Sequence, residues 1–154
     1  MFATRIFIAI FLCCGSAHSC LSGWLTHGSK CYHFSHDKEE WVNAVTVCQI
    51  LGGHLVEIED VNENNYIVAQ AKLGNKSYWI GLNDLQEENT WVWVNNNKHA
   101  TYTDWYTNQP DNSRNNENCA LIAQPYGYLW NDASCSLSLN YICESEAENV
   151  DIVG

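Results

Sequence analysis

The residues with the clearest chemical potential in this 154-residue chain are oxygen-bearing side chains that lie on either side of a cysteine. Calcium takes about six to eight hard oxygen ligands and accepts carboxylate, amide and backbone carbonyl oxygens together. Each such residue taken alone is an ordinary turn-former, and only their co-occurrence carries a signal. The pattern predicts a calcium site whose side-chain ligands are Gln109, Asp111, Glu117, Asn131 and Asp132.

Cysteines stand beside both groups of these residues. Cys119 follows Glu117 by two positions and Cys135 follows Asp132 by three, so a disulfide between them would hold the two groups together. Closing a loop of this size contributes roughly 3 kcal/mol. Eight cysteines in so short a chain indicate an oxidising compartment. Zinc is the alternative, but the chain has no Cys-x-x-Cys or His-x-x-x-His pair to support it.

The N-terminal residues 1–19 are predicted to be a secretory signal peptide. Arg5 precedes an apolar run, Ile6 to Cys14, that is too short to span a bilayer, and a small-x-small site favours cleavage after Ser19, with Ala17 as the competing position. A retained membrane anchor is the other interpretation, and no later apolar run could cross a membrane. Cleavage leaves an even number of cysteines, namely Cys20, Cys31, Cys48, Cys119, Cys135 and Cys143. About 15 disulfide pairings of these cysteines are possible.

The elements that must position the oxygen-rich region indicate an α+β domain. A strand is predicted at 31–34, followed by a helix with a capping-box-like start at Asp37 and a stop at Gly52. After a strand at 54–59, a second helix begins at Asp60 and ends at Gly74, with its apolar spacing on Tyr66, Ala69 and Leu73. Strands are then predicted at 78–82, 90–94, 119–123 and 140–143, around a polar Asn-rich loop between Tyr102 and Asn118.

Charge and composition disfavour several partners. The formal net charge of −11 and pI ≈ 4.7 leave no basic stripe to neutralise phosphates, so nucleic acid is a poor partner and an anionic membrane surface is disfavoured. No nucleophile or acid–base motif is present, and carboxylates committed to calcium make poor catalysts, so we do not expect an enzyme. We expect one folded domain at 20–145 and an acidic tail at 146–154.

These motifs together resemble a C-type lectin domain. The resemblance runs from Cys20 to about Ser145, nearly the whole predicted mature chain, and its order and spacing are specific. It is carried by Cys20-Leu21-Ser22-Gly23-Trp24, Cys31-Tyr32, Trp79-Ile80-Gly81-Leu82, Gln109-Pro110-Asp111, Glu117 with Cys119, Trp130-Asn131-Asp132 with Cys135, and Tyr141-Ile142-Cys143.

The resemblance implies a fold, a disulfide pairing and a use for the calcium site. Two helices would flank two small antiparallel sheets, and a long loop would carry the calcium, with Pro110 in the cis form. The same five residues would hold calcium and hydrogen-bond two sugar hydroxyls, because amides donate and carboxylates accept. The implied disulfides are Cys20–Cys31, Cys48–Cys143 and Cys119–Cys135.

The first loop triplet indicates which sugar would bind. In the family, Glu-Pro-Asn resembles mannose-type sites and Gln-Pro-Asp galactose-type sites, and this chain has the second. The expected partners are therefore glycans with terminal galactose or N-acetylgalactosamine, bound by a secreted protein in innate recognition of microbial glycans. A homo-oligomer is compatible with this function. An acidic matrix or biomineralisation protein of the same fold is the alternative function.

The chain also departs from the family pattern. Ser113 stands where many galactose-type members place a stacking Trp, so Trp105, Tyr106, Tyr126 and Tyr128 become candidates for a stacking ring or for core packing. An auxiliary calcium site would use Asp84 and Glu88 with Glu117, but Asn112 and Asn118 replace two of its acids and should weaken it. Asn75 begins an Asn-Lys-Ser sequon and is a candidate for glycosylation.

Overall fold

The structure, a computed structural model, describes residues 17–150. Its helices are α1 (Trp41–Ile50) and α2 (Val61–Gly74). Most of the predicted signal segment lies outside the described residues, as do residues 151–154 of the predicted tail. Within 17–150 no helix is long and apolar enough to cross a membrane. The strands are β1 (Ala17–Ser19), β2 (Leu25–His27), β3 (Lys30–Phe34), β4 (His54–Leu55), β5 (Tyr78–Asn83), β6 (Val92–Trp93), β7 (Cys119–Ala123), β8 (Leu129–Ala133), β9 (Asn140–Glu146) and β10 (Glu148–Val150).

The strands form one main sheet in the order β2-β3-β9-β5-β7-β8. The short strands β4 and β6 pair with β9 and β5, and β1 pairs separately with β10. The predicted antiparallel pairing is confirmed in both halves of the sheet. A short parallel register between β5 and β9, with Tyr78 opposite Asn140, joins the two halves. β8 therefore lies at one edge of the sheet, where the polar loop meets it.

The predicted start of α2 is confirmed, whereas that of α1 is wrong. The Asp60 carboxylate accepts hydrogen bonds from the backbone N–H groups of Asn62, at 2.7 Å, and Glu63, at 2.9 Å. α1 begins after Glu40, whose side chain makes no capping bond. Asp37 lies outside the helix because its carboxylate accepts the Tyr141 hydroxyl instead, at 3.1 Å.

The buried face of α2 is partly polar, so its apolar spacing is misleading. Leu73 is 81% exposed and Ala69 also faces solvent, although both belong to the predicted apolar face. Glu63 and Asn64 are buried instead, because neighbouring elements satisfy their polar atoms. The Glu63 carboxylate accepts bonds from Lys30 and Tyr32, while the Asn64 amide oxygen accepts the Trp130 Nε1–H and its amide donates to Asp104.

Three of the sequence-predicted strands differ from the observed ones by more than one residue. β4 and β6 have only two residues each, because the chain leaves the sheet soon after Leu55 and after Trp93. β8 was not predicted at all: the Trp130–Asp132 motif indicated ligands and not a strand. β7 has the predicted bounds, and β9 runs three residues further than expected, to Glu146.

Tight packing and disulfides hold the sheet against α1. Trp79 is fully buried, and its Nε1–H donates to the backbone carbonyls of Glu39 and Leu137. A Cβ at Gly81 would lie 2.9 Å from the Leu55 carbonyl oxygen, so only glycine allows β4 and β5 to approach this closely. The disulfides are the three that the resemblance implied: Cys20–Cys31, Cys48–Cys143 and Cys119–Cys135.

Candidate metal centre

The buried Trp130 fixes the strand that carries two of the predicted ligands. Its Nε1–H donates to the Asn64 amide oxygen at 3.0 Å, and its backbone N–H donates to the Asp104 carbonyl at 2.8 Å. The next residues on β8 are Asn131 and Asp132, the latter opposite Ala120 of β7. Two of the five predicted site residues are thus placed on a strand and not on a flexible loop.

Three carboxylates converge at this point. Asp111, Glu117 and Asp132 each offer one oxygen, and these oxygens all lie within 4.8 Å of one another. Asp132 is fully buried, Glu117 is half-buried and Asp111 is exposed, so the cluster opens to solvent on one side. Oxygens so spaced can surround one cation with metal–oxygen distances of about 2.3–2.6 Å, as calcium requires.

The polar loop wraps around the buried Asp132 carboxylate. Its two oxygens accept the backbone N–H groups of Asp111 at 3.2 Å and Asn112 at 2.7 Å. The Ser113 N–H lies 3.2 Å from both the Asp111 and the Glu117 carboxylate. The peptide bond between Gln109 and Pro110 is cis, as the resemblance implied.

The conformation of this loop explains its composition. Several residues of the loop have positive φ, a region that asparagine tolerates better than most residues because its short polar side chain bonds locally. The Asn112 side chain shows this directly, since its amide oxygen accepts the Glu117 N–H at 3.0 Å. Residues 108–115 with positive φ are Asn108, Asn112, Arg114 and Asn115.

Two amide oxygens of the predicted ligand set have no protein partner. Within residues 17–150, Gln109 Oε1 and Asn131 Oδ1 are buried and accept no hydrogen bond. The Asn131 amide nitrogen, in contrast, donates to the Asp132 carbonyl. Buried acceptors are nearly always satisfied, and a bound cation would satisfy them. The donor set therefore fits calcium; we call Gln109, Asp111, Glu117, Asn131 and Asp132 the metal centre.

Without a bound cation, the carboxylates of the metal centre repel one another. Burial raises the pKa of Glu117, and the charges of Asp132 and Asp111 raise it further. Burial also raises the pKa of Asp132, while the backbone N–H groups of Asn112 and Asp111 oppose this. Mutual repulsion of this kind is relieved by a divalent cation, since opposite charge favours the ionised form of each carboxyl group.

The expected auxiliary site is partly filled by protein hydrogen bonds. The Asn112 amide donates to the Glu88 carboxylate at 2.5 Å, where an acid would otherwise add charge. Asp84 is buried, one of its oxygens accepts the Asn89 N–H at 2.9 Å, and burial raises its pKa. The other Asp84 carboxylate oxygen is buried and has no partner within residues 17–150, so the weakness of the auxiliary site stays a prediction.

The four candidate stacking rings divide into two kinds. Trp105 packs edge-on against Trp130, with ring centroids 5.8 Å apart, and Tyr128 is 9% exposed. Both are packing residues. Tyr106 and Tyr126, in contrast, are exposed and stack on each other. Asn75, the candidate glycosylation site, is exposed at the end of α2.

A second charged cluster was not visible in the sequence. Lys30 Nζ lies 2.8 Å from Glu63, 3.5 Å from Glu144 and 3.6 Å from Glu59. These residues come from β3, α2, β9 and the segment before α2, at separations that match no motif. The cluster ties α2 to the sheet and lies outside the metal centre.

Fold and site together define a small, disulfide-bonded α+β domain in which carboxylate and amide oxygens from a long loop and from β8 converge. The family model described as "Lectin C-type domain" matches residues 37–145. The chain belongs to the C-type lectin domain family, whose members are generally carbohydrate-binding domains and not enzymes.

Individual relatives agree with this assignment. A Perlucin-like protein of Mytilus galloprovincialis is 37% identical over 134 residues, which cover 84% of this chain and 85% of that protein. Other curated relatives are longer proteins, of which the chain spans about a third. The carbohydrate-recognition domain of mouse scavenger receptor C-type lectin superposes with a TM-score of 0.79 at 37% identity, covering 85% of this chain and 99% of that one.

The fold alone does not define the function. A calcium-independent type II antifreeze protein superposes with a TM-score of 0.77 at 26% identity, covering 86% of this chain and 98% of that one. Proteins of this fold therefore differ in function through the residues that they carry at sites such as the metal centre.

Proposed function

We propose that this protein is a secreted, calcium-dependent lectin with a galactose-type site. The observation that carries the proposal is the convergence of three carboxylate oxygens within 4.8 Å, beside two buried amide oxygens that lack a protein partner. Calcium bound there supplies a positive centre with a flexible coordination sphere, which two adjacent sugar hydroxyls can complete.

The residues of the metal centre would then serve both partners. The carboxylates of Asp111 and Glu117, which face solvent in part, accept hydrogen bonds from sugar hydroxyls. The amides of Gln109 and Asn131 use their oxygens toward the cation and their N–H groups as donors. Because Gln109 and Asp111 place the amide and the acid in the Gln-Pro-Asp order, the hydroxyl pair of galactose or N-acetylgalactosamine should fit better than that of mannose.

A competition assay tests the proposal. The protein is bound to immobilised galactose with calcium, with magnesium or with EDTA, and is displaced with methyl galactoside or methyl mannoside. Calcium-dependent binding that galactoside displaces more effectively supports the proposal. Equal retention on mannose in the presence of EDTA would contradict it.

A matched pair of variants makes the assay specific. Asp111→Ala removes one carboxylate of the metal centre and should abolish retention. Glu40→Gln removes an equivalent charge that makes no capping bond and is exposed, and should retain binding. Binding of calcium or mineral surfaces by the wild type without any sugar binding would favour the acidic matrix function instead.

The proposed role is recognition of microbial glycans outside the cell, with residues 1–19 removed as a signal peptide. One shallow site should bind a monosaccharide with a Kd of ~1 mM, about −4 kcal/mol. Useful avidity then needs several domains or clustered glycans. Analytical ultracentrifugation with and without calcium would measure whether the chain forms a homo-oligomer.

A further inference from the structure

The two most exposed aromatic side chains of the described part of the chain lie face to face. Across residues 19–148, Tyr106 and Tyr126 are each 39% exposed, and every other Phe, Trp or Tyr side chain is more buried. Their ring centroids are 4.6 Å apart and their planes differ by 11°. Single exposed aromatic residues need no explanation, but a stacked pair forms a continuous apolar surface in water.

Backbone hydrogen bonds connect this tyrosine pair to both segments that carry the metal centre. The Tyr106 carbonyl accepts the Gln109 N–H at 2.9 Å, and the Tyr106 N–H donates to the Trp130 carbonyl at 2.8 Å, immediately before Asn131. Tyr126 ends the short turn Gln124–Tyr126, which follows β7 and precedes β8. The pair is therefore tied to the same loop and edge strand as the metal centre.

The pair has the chemistry of a sugar-binding surface. One face of a pyranose ring presents C–H groups and is apolar, while its edge carries hydroxyls. A tyrosine ring offers a large apolar face together with a hydroxyl that hydrogen-bonds at its rim. Because the two rings already stack on each other, each loses little conformational freedom when a ligand covers it.

We propose that Tyr106 and Tyr126 form a second subsite, which holds the sugar next to the terminal sugar bound at the metal centre. The proposal rests on the proposed lectin function. With Ser113 in place of a stacking Trp, the terminal sugar lacks an aromatic partner on that side of the loop. The tyrosine pair supplies the aromatic contact one sugar further along, so the protein selects a neutral oligosaccharide over a monosaccharide.

The test compares mono- and disaccharide affinities in calcium by calorimetry. The probes are methyl β-galactoside with lactose, and methyl mannoside with mannobiose, so that an error in the preferred terminal sugar does not hide the effect. Wild-type protein should bind the disaccharide of its preferred pair roughly 3- to 10-fold more tightly. Tyr126→Ala should reduce this ratio to about 1 while leaving the monosaccharide Kd unchanged, and Tyr126→Phe should keep most of it.

Controls and contrary results separate this proposal from the one before. Leu73→Ala truncates another exposed apolar side chain, 81% exposed on α2, and should leave the ratio unchanged. A wild-type ratio of about 1, or a Tyr126→Ala ratio equal to that of the wild type, overturns the second subsite although monosaccharide binding persists. Absence of calcium-dependent binding to either monosaccharide overturns the lectin function and the subsite together.

Discussion

Removing one charge from the metal centre should have opposite effects on stability with and without calcium. Without calcium, Glu117 is held with Asp111 and Asp132, and two unit charges 4.8 Å apart repel by about 3 kcal/mol at an effective dielectric constant of ~20. Solvent exposure of Asp111 reduces this repulsion. We therefore expect Glu117→Gln to stabilise the calcium-free domain by about 1 kcal/mol, which raises its Tm by roughly 3–4 °C.

Calcium should reverse the order of stability. With a Kd of about 10⁻⁴–10⁻³ M, as in extracellular calcium modules, about 10 mM calcium stabilises the wild type by roughly 1.4–2.7 kcal/mol. This corresponds to a Tm increase of about 4–10 °C. Glu117→Gln keeps a neutral oxygen but loses one of three chelating charges, so its calcium-dependent gain should be small. The wild type should then be the more stable protein.

Differential scanning calorimetry in EDTA and in calcium measures both effects. Glu40→Gln is the matched control, and its Tm should follow that of the wild type in both buffers. Two results would refute the reasoning: a wild-type Tm that does not respond to calcium, or a loss of Tm in Glu117→Gln of equal size in both buffers. The second would show that Glu117 acts through packing and not through charge.

Three further predictions follow from the site and the second charged cluster. Exchanging the loop triplet with Gln109→Glu and Asp111→Asn should shift competition from galactoside toward mannoside by at least tenfold, about 1.4 kcal/mol. Lys30→Met should lower the free energy of unfolding in urea by about 3 kcal/mol, because it leaves buried carboxylates without their cation. Burial raises the pKa of Glu144 from 4.5 to about 8, so the stability of the wild type should fall as pH rises from about 5 to 8, whereas that of Glu144→Gln should not fall for this reason. The loss amounts to at most about 1.4 kcal/mol per pH unit within this range and levels off above pH 8.

The sign of the Glu144 effect follows from linkage. A carboxyl group whose pKa is raised on folding contributes stability below its unfolded pKa and loses it as pH rises through the folded value. A difference in stability between the wild type and Glu144→Gln that is constant from about pH 5 to pH 8 would contradict this prediction. For Lys30→Met, the control is Lys38→Met at an exposed position, and equal effects of the two variants would show that the cluster adds no stability.

Local signals in the sequence predicted much of the fold. Asp60 and Glu63 predicted the start of α2 because capping depends on residues only three positions apart. β8 was not predicted because Trp130–Asp132 was interpreted as a ligand motif. The alternation of apolar and polar side chains that indicates a strand is obscured in β8, since Asn131 and Asp132 are polar. The buried face of α2 was missed because Glu63 and Asn64 are polar, and only their tertiary partners make their burial favourable.

The motif spacing predicted a cluster of ligands, but it did not predict what surrounds them. The three carboxylates of the metal centre lie together in the structure, whereas the binding of a cation there stays a prediction. The stacking of Tyr106 on Tyr126 depends on how the polar loop crosses the end of the β7–β8 turn, which no local pattern encodes. The Lys30 cluster likewise joins residues more than 100 positions apart in the chain, from Lys30 to Glu144.

The loop that carries the metal centre also closes an open sheet edge. β8 is the last strand of the main sheet, and at Trp130 its outward backbone groups bond to Asp104 and Tyr106. An uncovered edge strand is a template for pairing with other chains. Under the proposed calcium dependence, a loss of calcium that loosened this segment would also uncover a surface for aggregation. Substitutions at side chains such as Gln109 can change the selectivity for sugars without exposing this edge. Insertions or deletions around 104–106 would expose the edge of β8 and so reduce solubility.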